Sequence, residues 1–142
     1  MMERTAAAFI FVVGAAFLLT ACQMGPDMKE GKWEINTEMG LKGIPIKLPA
    51  MASTLCLTQK NPIPQEQLPE RDCVVTEKKT NDDTVTWKMV CKDNGTEVIS
   101  EGMITYSGVL FSGKIDTTIS GGPMAMTASN TITGKYLGPC GQ

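Results

Sequence analysis

Cys73-Val74-Val75-Thr76-Glu77-Lys78-Lys79-Thr80-Asn81-Asp82-Asp83-Thr84-Val85-Thr86-Trp87-Lys88-Met89-Val90-Cys91 reads the same in kind from either end. Two runs rich in Val and Thr flank the polar Asn81-Asp82-Asp83, which is the pattern of a β-hairpin. Pairing symmetric about Asp82 sets Cys73 opposite Cys91, Val75 opposite Met89 and Glu77 opposite Trp87. Because side chains alternate faces along a strand, the two cysteines then share a face with Val85, Trp87 and Met89. Directly opposed positions in an antiparallel pair come within the roughly 4.4–6.8 Å between Cα atoms that a disulfide spans.

The same pattern continues on both sides. Asp93-Asn94-Gly95 makes the next turn, with Asn-Gly favouring positive φ at both positions. Val98 to Tyr106 and Val109 to Ile119 form a hairpin across Ser107-Gly108, which places Ile104 opposite Phe111 and Gly102 opposite Gly113. Facing glycines let a sheet coil sharply. Ser120-Gly121-Gly122-Pro123 turns the chain into a last strand from Met124 to Tyr136, and Leu137-Gly138-Pro139-Cys140 closes it. Upstream, Trp33, Ile35, Thr37 and Met39 alternate with Lys32, Glu34, Asn36 and Glu38 in a half-buried strand. Gly40 to Pro49 is an edge or a loop, because Pro45 and Pro49 cannot donate to a ladder. Met51 to Thr58 is a second strand carrying Cys56. Asn61 to Asp72, with Pro62, Pro64 and Pro69, is the longest loop, with one helical turn around Gln65 to Leu68. These elements add up to an all-β domain: an antiparallel meander of about seven strands, curled into a small closed or half-open barrel, with a two-sheet sandwich as the alternative.

Leu19-Thr20-Ala21-Cys22 ends an apolar run from Ala6 and resembles the lipobox of bacterial lipoproteins. The resemblance implies that residues 1–21 are a cleaved signal peptide and that Cys22 is lipidated. Residues 22–31 then form a polar tether, with order beginning near Lys32, and 32–140 form one periplasmic domain. Fourteen apolar residues fall short of the roughly 20 that span a bilayer. Gln23 after the cysteine favours the outer membrane, with an inner-membrane anchor or a soluble periplasmic protein as alternatives. With Cys22 acylated and Cys73 facing Cys91, Cys56 is left to reach Cys140; the periplasm is oxidising, so both bridges form.

Without the signal, 12 basic and 14 acidic residues remain, after Arg4 is taken from 13 and Glu3 from 15. A net charge of -2 with no basic patch excludes nucleic acid as the natural partner.

Gly31-Lys32-Trp33-Glu34, Cys56-Leu57-Thr58, Val85-Thr86-Trp87-Lys88-Met89-Val90-Cys91, Tyr106-Ser107-Gly108 and the closing Leu137-Gly138-Pro139-Cys140 together resemble an uncharacterised family. Its members are small exported bacterial four-cysteine proteins, catalogued as a domain of unknown function. The resemblance implies a shared fold and an envelope location, and it carries no catalytic or ligand residues. Where members often have a run of methionines and prolines after the first strand, this chain has Leu41, Ile44, Ile46 and Leu48 with Lys42 and Lys47.

The chain contains no His, so the commonest general base is missing, and paired cysteines leave no free thiol nucleophile. No phosphate loop, His-Glu zinc motif or dinucleotide fingerprint occurs. The expectation is a non-enzyme without a cofactor, held to the membrane by its lipid. It binds an apolar small ligand or an envelope protein, with Trp33, Trp87, Phe111 and Tyr106 as the ligand-facing residues. Cuprous ion held by the thioethers of Met39, Met51, Met124 and Met126 is the alternative, and a histidine-free hydrolase comes third. An apolar interior with room for a lipid would favour a carrier; a filled interior with an exposed apolar rim would favour a protein-interaction module.

Overall fold

A computed structural model describes residues 25–41, 43–46, 48–64, 72–123 and 125–141. The signal peptide, Cys22, the helical turn at Gln65 to Leu68 and Met124 therefore lie outside the described residues. The strands are β1 (Gly31–Leu41), β2 (Met51–Leu57), β3 (Asp72–Asn81), β4 (Thr84–Asp93), β5 (Thr96–Ser107), β6 (Leu110–Ser120) and β7 (Met126–Gly138). They form one antiparallel sheet in the order β2-β1-β7-β6-β5-β4-β3, and two disulfides, Cys56–Cys140 and Cys73–Cys91, tie it together. A single sheet replaces the two-sheet sandwich.

The order moves the break expected of a meander. β1 and β7 are joined by a ladder from Lys32–Gly138 to Leu41–Ala128, so first and last strands close on each other, while no ladder joins β2 to β3. Alternating antiparallel steps around the sheet leave β2 and β3 running in the same direction. Strands of that kind cannot be joined by a tight hairpin, and 14 residues separate Leu57 from Asp72 in the sequence.

The sheet curls strongly. Trp33 on β1 and Tyr106 on β5 are three strand steps apart, about 14 Å across a flat sheet, yet their ring centroids are 5.6 Å apart. One face of every strand points into this half-open barrel. Trp33, Ile35, Leu57, Val85, Trp87, Met89, Cys91, Ile104, Tyr106, Phe111, Ile115 and Ile132 are all buried there, with Cys73 of β3 packed against them. β4 shows why the alternation in the sequence was readable: Val85, Trp87, Met89 and Cys91 are buried while Thr84, Thr86, Lys88 and Val90 between them are not.

Two registers differ from the sequence reading. The first hairpin turns on two residues, Asp82-Asp83, with Asn81 opposite Thr84, so Lys78 and not Glu77 faces Trp87. Asp82 takes a positive φ of 50°, a conformation Asp tolerates. A bulge between Val75 and Glu77 absorbs the extra residue and restores Cys73 to Cys91 and Val75 to Met89. The second hairpin turns on Gly108-Val109, with Ser107 opposite Leu110. Gly108 has φ 63°, as the first central residue of a two-residue hairpin loop favours.

That second shift changes what the glycines do. Gly102 and Gly113 do not face each other; Gly102 lies opposite Trp87, Gly113 opposite Ile104, and Gly134 opposite Phe111. Each glycine leaves space for a large neighbour on the concave face. A Cβ at Gly102 would run into the Trp87 indole, and one at Gly134 into the Phe111 ring. Both rings are buried and cannot swing away. Gly102→Ala and Gly134→Ala are each expected to cost about 2–3 kcal/mol by overpacking, whereas Gly122→Ala, whose Cβ meets nothing, should leave the thermal midpoint unchanged.

Of the tether expected over 22–31, the described residues 25–30 are packed onto the barrel. Pro26 and Met28 are buried, and Met28 bridges Gly108. The Gly108 amide donates to the Asp27 carbonyl at 2.8 Å, the Lys29 amide to the Gly108 carbonyl at 3.1 Å, and the Asp27 amide to Asp83 Oδ1 at 2.9 Å. This segment covers the barrel end that also carries the 82–83 and 108–109 turns, called here the near end. The far end carries the 94–95 and 121–123 turns and the loop from β1 to β2.

Candidate functional site

The four aromatic side chains expected to face a ligand fill the interior instead of lining an open lumen. Trp33, Tyr106, Phe111 and Trp87 are at most 3% exposed. Trp33 packs edge-on against Tyr106 and Tyr136 and tilted against Phe111 at 5.5 Å, and Tyr106 meets Phe111 edge-on at 5.3 Å. The polar tips of these rings are satisfied inside: Trp33 Nε1 donates to the Lys29 carbonyl at 3.0 Å and the Tyr106 hydroxyl donates to the Pro62 carbonyl at 2.5 Å. Burial pushes the Tyr106 hydroxyl well above the usual phenol range, so it remains a donor. The two bonds tie the segments before β1 and after β2 to the aromatic cluster.

Beside this filled interior, the gap between β2 and β3 leaves a cleft of about 370 Å³ lined by Leu55, Leu57, Ile63, Val75 and Met89. Asn61 and Lys78 are its polar residues, and Lys78 Nζ crosses the gap to donate to the Lys60 carbonyl at 2.7 Å. This cleft depends on the sheet order, to which residues 55, 75 and 89 contribute from three separate strands. No local pattern marks it in the sequence.

The far end carries exposed apolar residues. Ile44, Ile46 and Leu48 of the β1–β2 loop, with Met39, Met51 and Met126, are between 38% and 60% exposed. Leu48 and Met39 line one depression with Glu38, Gly40, Ala50, Ser129 and Thr131. Beneath this rim the concave face turns polar. Ser100 is buried and its hydroxyl lies 3.4 Å from that of Thr117, and Asn130 Oδ1 is buried with no hydrogen-bond partner.

Of the methionines considered for copper, Met51 pairs with Thr37 on the β2 side of β1, Met39 pairs with Asn130 on the β7 side, and Met126 lies four residues from Asn130 along β7. The carboxylates sit on the surface: Glu101 pairs with Lys88 at 3.4 Å and Glu97 with Lys92 at 4.0 Å, exposed contacts of small energetic weight. Asp83 Oδ1 accepts the Asp27 amide, and among the described residues no cluster of three or more Cys, Asp or Glu side chains could hold a metal ion.

Compared with known proteins, residues 28–140 match a family model described as "Protein of unknown function (DUF3617)". Neither the curated proteins nor the solved structures returned a significant match.

Proposed function

The chain belongs to the family described as protein of unknown function DUF3617, and from that premise we propose that it is a lipid-anchored, non-catalytic protein-interaction module of the bacterial envelope. The observation that carries this reading is the division of its apolar residues. The interior is packed by its own aromatic rings, while Ile44, Ile46, Leu48 and Met51 stand exposed together at the far end. Scattered exposed apolar residues are ordinary, whereas a contiguous group at one end marks a binding surface. The loop interleaves Lys42 and Lys47 with these residues, which suits a protein partner whose apolar patch is edged by carboxylates. The Leu19-Thr20-Ala21-Cys22 box supports a lipid anchor, and two disulfides in one small domain support an oxidising compartment. Outer-membrane sorting follows from Gln23.

A photo-crosslinking residue placed at Ile46 in the intact envelope should yield one protein adduct. The adduct should disappear in an Ile44→Ser/Met51→Ser background, and the same residue at Ser112 on the outer face should yield none. Equal adducts at both places, or none at Ile46, would remove the reading.

A second reading rests on the cleft between β2 and β3. Its size and apolar walls fall in the range of small-molecule sites. A rise in melting temperature with fatty acids or lysolipids that is lost in Val75→Asp would favour it.

A further inference from the structure

We infer that the near end of the barrel lies directly on the membrane surface, with Val109, Leu110 and Leu137 seated in the lipid interface; this rests on the lipid-anchor reading above. The length of chain leads to it. The chain is already packed at Pro26, which is fully buried, and the Asp27, Met28 and Lys29 backbone is bonded to Asp83, Pro26 and Gly108. Only Gln23 and Met24 lie between Cys22 and Gly25. The three extended Cα–Cα steps from Cys22 to Gly25 reach no more than about 11 Å, so a diacylglycerol on Cys22 keeps the near end close to the headgroups and cannot lift the domain far away.

The surface at that end suits such a position. Val109 is 44%, Leu110 52% and Leu137 50% exposed. The Tyr136 amide bonds the Val109 carbonyl at 2.9 Å and Leu110 pairs with Lys135, which sets Leu137 on the outward face one diagonal step from Leu110. Three half-exposed apolar side chains therefore adjoin on the anchored end. Lys135 and Lys29, whose ammonium lies 5.5 Å above the Tyr136 ring, stand beside them, while the same end carries the exposed Asp27, Asp82 and Asp83, so apolar contact and the short anchor, not net charge, place it at the lipid. Apolar contact plus one lipid chain set makes two anchoring signals, and the geometry directs the far rim away from the bilayer, toward a partner.

The test couples the mature chain, residues 22–142, through the Cys22 thiol to a maleimide-headgroup lipid in phosphatidylethanolamine–phosphatidylglycerol vesicles. Leu110→Trp, and Val109→Trp should the first variant fail to fold, reports the near end; Met51→Trp reports the far end. With brominated acyl chains, the emission added by the near-end tryptophan should be largely quenched and that of Met51→Trp unchanged. Equal emission from the near-end variant with and without bromine, or equal quenching at both ends, would overturn the inference. Chemical coupling makes this result independent of cellular lipidation. A mature N-terminus without lipid in the native protein would refute the anchor reading instead.

Discussion

Cys140→Ser is expected to lower stability by about 4.6 kcal/mol, against about 3 kcal/mol for Cys73→Ser, on the chain-entropy account of a cross-link. The bridges have sequence separations of 84 and 18, so the first closes a far longer loop in the unfolded chain. The fold adds a structural reason. Lys32 pairs with Cys56 on one side and with Gly138 on the other, so the Cys56–Cys140 bridge straps the first residues of β1 between its two neighbours. Cys73–Cys91 only reinforces a hairpin that already has its own ladder from Asp72 to Asn81. Urea unfolding of Cys56→Ser/Cys140→Ser beside Cys73→Ser/Cys91→Ser gives the comparison without mispaired thiols. Equal losses, or a larger loss for the hairpin pair, would contradict it.

Trp33→Ala should cost about 3–5 kcal/mol, the range for removing a large buried aromatic side chain. Trp33 is fully buried and touches rings from β5, β6 and β7, so it packs the two sides of the curled sheet against each other. Its Nε1 bond to the Lys29 carbonyl also holds the segment before β1. Loss of the indole should therefore speed hydrogen exchange of the Lys29 and Gly108 amides more than that of the β4–β5 ladder. A cost below about 1 kcal/mol would mean that the interior is not packed as described.

The strands, most of their faces and the Cys73–Cys91 bridge were legible because each depends on local pattern: alternation in β4, turn residues at Asn94-Gly95, and symmetry between Cys73 and Cys91, whereas Cys56–Cys140 followed only by elimination. Of two errors of register, one left every face intact and the other reversed only the turn-side half of β3, where Lys78 and not Glu77 faces Trp87. The misplaced turn at Asp82 was compensated by the bulge after Val75. The slip at Gly108-Val109 moved pairings by two residues, which keeps every side chain on its face. What could not be read depends on distant parts of the chain. The break between β2 and β3 follows from the pairing of β1 with β7, nearly the whole domain apart in sequence, and the burial of Pro26 and Met28 follows from the position of the Gly108 turn, 80 residues downstream of Met28. In isolation a largely polar segment with one Pro and two Met looks like a tether. The candidate ligand-facing aromatics were placed on the correct face, but only the curl showed that the rings of Trp33, Tyr106 and Phe111 meet.

Native mass spectrometry of the protein released gently from the envelope tests the central claim, a filled barrel that works through its far rim. Wild-type protein should retain a protein partner that Ile44→Ser/Met51→Ser protein has lost, and both should carry the same mass at the N-terminus. A small apolar molecule riding with the isolated domain, retained by the rim variant and lost in Val75→Asp, would contradict it.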